Sequence, residues 1–205
     1  MARFTPSRII PIALVLIIVV VAIAALTSLT RAVFFSGNSS TTTTSVDTAR
    51  TALLSTTADR AVRLTVRGPI VADESFHSYQ ITITPSSRTL TTYTGYLDTQ
   101  VDQIALGNNI PSYEQFVYAL DKANLEKGTP LTGDKNDTRG VCATGRVYQF
   151  DILSGSTNVK NLWTSTCSGS TGSLDATISQ LTNLFVSQFP TSSNVIRKVN
   201  LSSNL

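Results

Sequence analysis

Alternating apolar and polar residues in two segments of the chain predict strands with one buried face. The alternating apolar positions are Val62, Leu64 and Val66 in the first segment and Tyr79, Ile81 and Ile83 in the second. A turn at 85–88 leads into a third predicted strand, 89–96, which is rich in threonine and tyrosine, two residues that favour strands. The segment that follows, 97–106, fits either a helical turn or an extension of that strand.

Apolar residues at helical spacing predict two amphipathic helices. The first covers residues 112–127, where Ser112 and Gln115 form a capping box and Gly128 is placed for a left-handed C-cap. The second covers residues 174–189 and is followed by a proline. Because each helix has one apolar face, both are expected to pack against the predicted strands.

Weaker patterns predict a short helix at 47–56 and a final strand at 195–201. Strand runs separated by amphipathic helices are typical of an α+β domain. We therefore expect one antiparallel sheet, with two or three helices packed on one of its faces.

Residues 146–153 and 159–166 are predicted to form a hairpin that turns through residues 154–157. The alternation along its two strands puts five apolar residues on the face that meets the helices. These residues are Tyr148, Phe150, Ile152, Val159 and Trp163.

The chain contains two cysteines, and the predicted hairpin brings them close together. With a two-residue turn at 154–155, Cys142 lies directly opposite Cys167. A four-residue turn shifts this pairing by four positions unless Gly145 bulges the first strand. Two cysteines in a domain outside the cytoplasm favour a disulfide. A redox-active pair is the alternative, although such pairs are typically closer in sequence.

The segment Ile9–Leu29 contains 21 residues and no charge. A helix of this length spans about 30 Å, the thickness of the hydrocarbon core of a bilayer. Arg3 and Arg8 precede the segment, so the positive-inside rule predicts a cytoplasmic N-terminus and a single pass through the cell membrane. The alternative is a signal peptide that is cleaved near residues 22–25.

An anchored topology divides the chain into four parts. They are a cytoplasmic tail (1–8), a transmembrane signal anchor (9–29), a flexible stalk rich in serine and threonine (30–47) and an extracytoplasmic domain (48–205). The stalk has too few apolar residues to offset the entropy of ordering. The lipid bilayer is the expected partner of the anchor.

Charged residues make up 14% of the chain, below the roughly 25% of an average soluble protein. Two of the 16 basic residues precede the anchor, so the part predicted to lie outside carries a net charge of only +1. Nucleic acid is therefore not an expected partner. Because the chain has one histidine, a zinc site built from several histidines is excluded.

Few residues are arranged for catalysis or ligand binding. Arg63 and Arg67 share one face of a predicted strand and are candidates for contact with an anion, with a solvated face as the alternative. His77 is a candidate base for a hydrolase, but the nucleophile-elbow motif is absent from the sequence. Residues 134–138 alternate like a calcium loop but lack its later glycine and glutamate. We therefore assign no catalytic residue, no cofactor and no metal site.

Three stretches of the chain resemble one group of bacterial proteins: GPIVADESFHSYQITITPSSRTL (68–90), YEQFVYALDKAN (113–124) and GVCATGRVYQFDIL (140–153). They are similar to uncharacterised signal-anchored proteins of small-genome bacteria of the Saccharibacteria type. This resemblance implies a bacterial origin and a single-pass anchor, and it transfers no activity and no site residue.

These features together favour a binding protein over an enzyme. We expect a membrane-anchored protein of the cell envelope whose outer α+β domain binds an envelope or surface protein or polymer. Two alternatives remain open, namely an envelope hydrolase that uses His77 and a structural spacer.

Overall fold

The computed structural model describes residues 42–190 and 192–198. The predicted anchor at 9–29 and most of the predicted stalk at 30–47 lie outside the described residues. Within residues 42–190 and 192–198, no helix combines the length and the apolar character needed to cross a membrane.

Four α-helices and six strands form the described part of the chain. The helices are α1 (Thr42–Leu54), α2 (Ile110–Lys122), α3 (Ile178–Val186) and α4 (Ser192–Lys198). The strands are β1 (Arg60–Arg67), β2 (His77–Ile83), β3 (Ser87–Thr94), β4 (Thr99–Gly107), β5 (Val147–Ser154) and β6 (Thr157–Ser165). Short 3-10 helices lie at Asp73–Ser75 and Gly133–Asn136.

The six strands form one antiparallel sheet in the order β4-β3-β2-β1-β5-β6. Strands β1 to β4 pair with their neighbours in sequence, and β5 returns after α2 to pair with the free side of β1. The predicted α+β class with a single antiparallel sheet is confirmed. The ambiguous segment 97–106 contains most of β4, an edge strand that pairs with β3.

The core lies between one face of the sheet and the helices. Phe185 of α3 is fully buried and meets Phe116 of α2 and Phe150 of β5, with ring centroids 5.3 and 6.0 Å apart. These contacts join two helices and the sheet through one aromatic cluster. The buried core residues of the sheet are Val62, Leu64, Val66, Tyr79, Ile81, Ile83, Leu90, Tyr148, Phe150 and Ile152.

Helix α2 begins at Ile110, before the predicted start at Ser112. Its N-cap is Asn109, whose side-chain oxygen accepts a hydrogen bond from the Ser112 backbone N–H at 2.9 Å. The predicted capping box of Ser112 and Gln115 is therefore wrong. Asparagine is as favourable an N-cap as serine, and Pro111 in the first turn has no N–H that needs a partner.

Helix α2 ends at Lys122 rather than at the predicted Lys127. The left-handed residue that follows is Asn124, with a φ of +63°, and not the predicted C-cap Gly128. Gly128 instead approaches another backbone segment, because a Cβ there would lie 2.0 Å from the Ser173 carbonyl oxygen. Spacing along the sequence does not distinguish a C-cap glycine from a glycine at a close backbone contact.

The bounds of α1 and α3 also differ from those predicted. Helix α1 starts at Thr42, before the predicted 47–56, so its first residues belong to the segment assigned to the stalk. Helix α3 is shorter than the predicted 174–189, since Leu174 forms an isolated β-bridge with Gly128 instead of a helical turn.

The predicted final strand at 195–201 is wrong in its described part, because residues Ser192–Lys198 form helix α4. Val195 and Ile196 are both buried. Adjacent residues of a strand point to opposite faces, whereas adjacent residues of a helix can share one buried side. Packing both side chains in the core therefore favours the helix.

The β5–β6 hairpin is present, but its turn differs from the prediction. The turn residues are Gly155 and Ser156, and Gly155 has a φ of +57°, which suits glycine at the first turn position. Gln149 pairs with Trp163, so Trp163 lies on the face opposite to Phe150, and its predicted place among the helix-facing residues is wrong. The other residues predicted for that face pack in or against the core: Tyr148, Phe150, Ile152 and Val159.

The predicted disulfide joins Cys142 and Cys167, whose Cα atoms are 5.3 Å apart. Cys142 lies in the loop before β5 and has a φ of +57°. Gly145 makes room for the bridge, since a Cβ there would be 2.6 Å from the Cys142 Sγ. The pairing is confirmed, but direct opposition across the hairpin is wrong, because the fold of the loop brings the cysteines together.

Candidate functional site

A cavity of about 350 Å³ opens at one end of the sheet, where β1 ends and β5 begins. We call it the loop cavity, because loops before β2, after β3 and before β5 form its walls. Its volume is near the lower end of the roughly 300–1,000 Å³ typical of small-molecule sites. The lining is mainly apolar (Ile70, Phe76, Tyr96, Val141 and Val147), with Arg67, Thr138 and Arg139 as polar side chains and two glycines, Gly68 and Gly140.

The loop between β1 and β2 forms one wall and is fastened by Tyr96. The Tyr96 hydroxyl donates to the Val71 carbonyl oxygen at 2.8 Å and accepts from the Val71 N–H at 3.1 Å. The Tyr96 ring stacks on Phe76 with centroids 4.1 Å apart, and the Tyr96 backbone N–H donates to the Asp73 carboxylate at 2.8 Å. These contacts hold the wall in place without a ligand.

The loop before β5 forms the opposite wall and is braced by the disulfide. Val141, which lines the loop cavity, directly precedes Cys142, and Cys142 is bonded to Cys167. The two walls are also joined to each other, because the Ile70 N–H donates to the Ala143 carbonyl oxygen at 2.8 Å. The walls of the loop cavity are therefore held in place by a disulfide and by hydrogen bonds.

Trp163 lies behind this second wall. It is buried in a small cluster with Cys142 and Val147, and Val147 also lines the loop cavity. Because Trp163 is the only tryptophan of the chain, its fluorescence reports on the environment of the loop cavity.

Both charged side chains that line the loop cavity are arginines. Arg67, at the end of β1, lies 3.8 Å from the Asp98 carboxylate, which is beyond hydrogen-bond distance. Among residues 42–190 and 192–198, no group accepts a hydrogen bond from the Arg67 guanidinium. Arg67 therefore has donors available at the rim of an apolar site.

Arg139 is engaged by its neighbour Asp137. Its guanidinium Nε donates to both carboxylate oxygens at 2.8 and 2.9 Å, and its backbone N–H donates at 3.0 Å. The side-chain hydrogen bonds from Arg139 lower the pKa of Asp137 to about 2. Of the two arginines at the loop cavity, Arg67 is thus the one whose guanidinium makes no hydrogen bond to a described residue.

Arg63, the other predicted anion contact, lies on the same strand face as Arg67 but has different surroundings. Its Nε donates to Asp151 at 2.8 Å, and the Asp151 side chain is 0% exposed. Asn161 also donates to Asp151, at 2.5 Å. Arg63 therefore neutralises a buried carboxylate, since a buried charge without a partner is strongly destabilising.

His77, the candidate base, is half-buried at the start of β2 and does not line the loop cavity. Its side chain makes no hydrogen bond or ion pair with any other residue that the structure describes. A hydrolase needs its nucleophile within hydrogen-bond reach of the base. The described part of the chain provides no contact that supports this alternative.

The calcium-like segment and a groove between two helices are weaker candidates for a ligand-binding site than the loop cavity. Residues 134–136 of the calcium-like segment belong to the 3-10 helix Gly133–Asn136, and the segment continues into the Asp137–Arg139 ion pair. No group of three or more potential metal-ligating side chains occurs in the described residues. A groove of about 480 Å³ between α2 and α3, lined in part by Phe116 and Leu184, has no charged lining residue.

No protein-family model matches the chain, and no curated protein is significantly similar to it. These comparisons add no support to the resemblance to signal-anchored bacterial proteins. Because the comparisons identify no family, the support for a function comes from the geometry of the loop cavity.

Sequence patterns identify Arg67 but miss the apolar residues that surround it. Ile70 and Phe76 lie in the loop between β1 and β2, where periodicity carries no information. Tyr96 belongs to the predicted strand 89–96, but β3 ends at Thr94 and leaves Tyr96 in a loop. The available signal is the apolar pair Ile70 and Val71 in a segment with no strand partner; their exposures are 45% and 41%. A contiguous exposed apolar patch marks a binding site, whereas two adjacent apolar residues in a loop do not identify one by themselves.

Proposed function

We propose that this chain is a membrane-anchored binding protein of the cell envelope, with the described domain outside the membrane and the loop cavity as its binding site. The loop cavity carries this proposal. Concave, mostly apolar sites with few polar groups are typical of ligand-binding sites. Because Tyr96 and the disulfide hold the walls in place, little ordering is required when a ligand binds.

The predicted location outside the cytoplasm is supported by two independent features. Disulfides persist mainly in oxidising compartments, and Cys142 is bonded to Cys167. The uncharged segment 9–29, preceded by Arg3 and Arg8, has the length and charge pattern of an anchor with its N-terminus in the cytoplasm. Both features favour an extracytoplasmic domain.

The chemistry of the described residues favours binding over catalysis. The loop cavity is lined by apolar side chains and two arginines, and neither type is a general base at neutral pH. The hydrolase alternative depends on His77, which has no hydrogen-bonded partner among the described residues. No observation favours the spacer alternative over a domain with a preformed cavity.

The proposed topology is tested with two reporters fused after Leu205. A reporter enzyme that requires disulfides is expected to be active, because the C-terminal domain is proposed to lie in an oxidising compartment. A fluorescent reporter that matures only in the cytoplasm is expected to stay dark. The opposite pair of results would place the domain inside the cell and overturn the proposed location.

Binding at the loop cavity is tested with 1-octanol, a neutral apolar probe. The full-length chain is placed in phosphatidylcholine vesicles, and Trp163 fluorescence is measured against the free octanol concentration set by dialysis. Ile70→Asp places a charge in the apolar wall and is expected to weaken octanol binding about tenfold or more. Equal binding by the wild type and Ile70→Asp would remove the loop cavity as the binding site.

The matched control is Ile110→Asp, at the start of α2 and the opposite end of the sheet. Ile110 is exposed to a similar degree as Ile70, 55% against 45%, and it does not line the loop cavity. This variant is expected to bind octanol like the wild type. Loss of binding in the control as well would show a general effect of the added charge.

A further inference from the structure

Building on the proposed binding function, we propose that the ligand of the loop cavity is a small amphiphilic carboxylate. Its alkyl body lies against the apolar walls, and its carboxylate is bound by the guanidinium of Arg67. The structural basis is the position of an arginine with unused donors at the rim of an otherwise apolar cavity.

The charges that line the loop cavity favour an anion. Both lining charges, Arg67 and Arg139, are positive, while their carboxylate partners Asp98 and Asp137 are not lining residues. An alkylammonium ligand would find two guanidinium groups and no carboxylate among the lining side chains. A neutral ligand would bind the apolar walls but would not use the donors of Arg67.

The geometry of Arg67 suits a carboxylate in particular. A guanidinium presents its donors as a planar fork that matches the two oxygens of a carboxylate. Arg67 is placed by β1, where it pairs with Val147 of β5 and Ser78 of β2, so its backbone is held by strands on both sides. Its side chain is 40% exposed, which leaves the head group of a ligand at the mouth of the loop cavity.

The size and lining of the loop cavity limit the rest of the ligand. A volume of about 350 Å³ accepts a short alkyl chain rather than a large lipid. Apolar contacts come from Ile70, Phe76, Val141 and Val147. Thr138 adds an aliphatic hydroxyl to the lining. Binding is therefore expected to depend on the alkyl body for affinity and on Arg67 for selectivity.

The test compares three probes of equal chain length: octanoate, 1-octanol and octylammonium. The full-length chain in phosphatidylcholine vesicles is titrated with each probe, with Trp163 fluorescence as the signal and free concentrations set by dialysis. The wild type is expected to bind octanoate at least tenfold more tightly than octanol, because a hydrogen bond to a charged group is added. Octylammonium is expected to bind most weakly.

Arg67→Met removes the guanidinium and keeps an apolar side chain of similar length. It is expected to weaken octanoate binding about tenfold or more while octanol binding changes less than about twofold. Arg67→Lys keeps the charge without the fork and is expected to retain part of the preference for octanoate. Arg50→Met, the same substitution at an arginine of α1 that does not line the loop cavity, is expected to change neither affinity.

The outcomes separate this inference from the proposed function. If octanol binds at the loop cavity as tightly as octanoate, the cavity is a binding site but the carboxylate assignment is overturned. If Arg67→Met weakens octanol and octanoate equally, Arg67 supports the shape of the cavity and the assignment is likewise overturned. If none of the three probes binds the wild type, or if Ile70→Asp leaves octanol binding unchanged, the proposed binding function itself is overturned.

Discussion

Removing the disulfide is expected to destabilise the domain and to loosen the loop cavity at the same time. The perturbation is the double substitution Cys142→Ala and Cys167→Ala. The bridge closes a segment that contains the whole β5–β6 hairpin, and it adjoins Val141 in the cavity wall. Alanine is chosen because Cys142 is buried and a serine there would add a polar group.

The magnitude follows from the length of the closed loop. For a sequence separation of 25 residues, the chain-entropy treatment of cross-links gives a stabilisation of about 3.5 kcal/mol at 25 °C. With a urea m-value of about 2 kcal/mol/M, the midpoint of unfolding is expected to fall by about 1.7 M. The affinity for 1-octanol is expected to fall as well, because Val141 loses the bridge that holds its loop.

The assay is urea unfolding of the full-length chain in phosphatidylcholine vesicles, followed by Trp163 fluorescence. Wild type treated with a reductant is expected to match the double variant, and the double variant is expected to be indifferent to the reductant. An unchanged midpoint in the variant would refute the reasoning on stability. Two reactive thiols in the denatured, unreduced wild type would refute the bridge itself.

Two further substitutions test the packing and one surface ion pair by urea unfolding. Gly172→Ala is expected to cost about 3 kcal/mol, because Gly172 has a φ of +72° and a Cβ there would lie 2.2 Å from the Trp163 carbonyl oxygen. Gly169→Ala, where no atom lies within 4 Å of the added Cβ, is the control, and equal stability of the two variants would contradict this packing. Arg50 donates hydrogen bonds to the Asp121 carboxylate at 2.7 and 3.0 Å and holds the pKa of Asp121 below its ordinary 3.8. The stabilisation from this pair is therefore complete above pH 3.8 and is lost as the pH falls through the lower folded-state pKa. Arg50→Met should lower the free energy of unfolding by about 0.5 kcal/mol at pH 7 and by less in stronger acid, so a loss that is constant with pH would contradict the assignment.

Local periodicity explains which parts of the fold are predictable. Strands β1 and β2 each have one face in the core, so their apolar residues alternate and reveal both the strand and its buried side. The α+β class and the single sheet follow from such segments and from the amphipathic pattern of α2. β4 is ambiguous because it is an edge strand with exposed residues and only partial burial.

Features that change when a turn or a strand register shifts by one residue cannot be predicted from local periodicity. In the hairpin, the turn is Gly155 and Ser156, and the register shifts between Ile152 and Leu153. The position of the turn leaves the parity of the pairing unchanged, whereas the register shift reverses it and moves Trp163 to the other face. The predicted disulfide is nevertheless present, although a loop rather than the register of the hairpin brings its cysteines together.

The amino-acid sequence by itself determined the class of the fold, its alternating strands and the pairing of its two cysteines, because these depend on local pattern and on composition. Only the tertiary structure decided where the helices end, which face Trp163 occupies and how the loops enclose a cavity. Ile70, Phe76, Tyr96 and Val141 come from three separate loops and meet because strand order brings those loops to one end of the sheet. The role proposed for Arg67 likewise depends on that convergence, since the same arginine on an open strand face would contact only water.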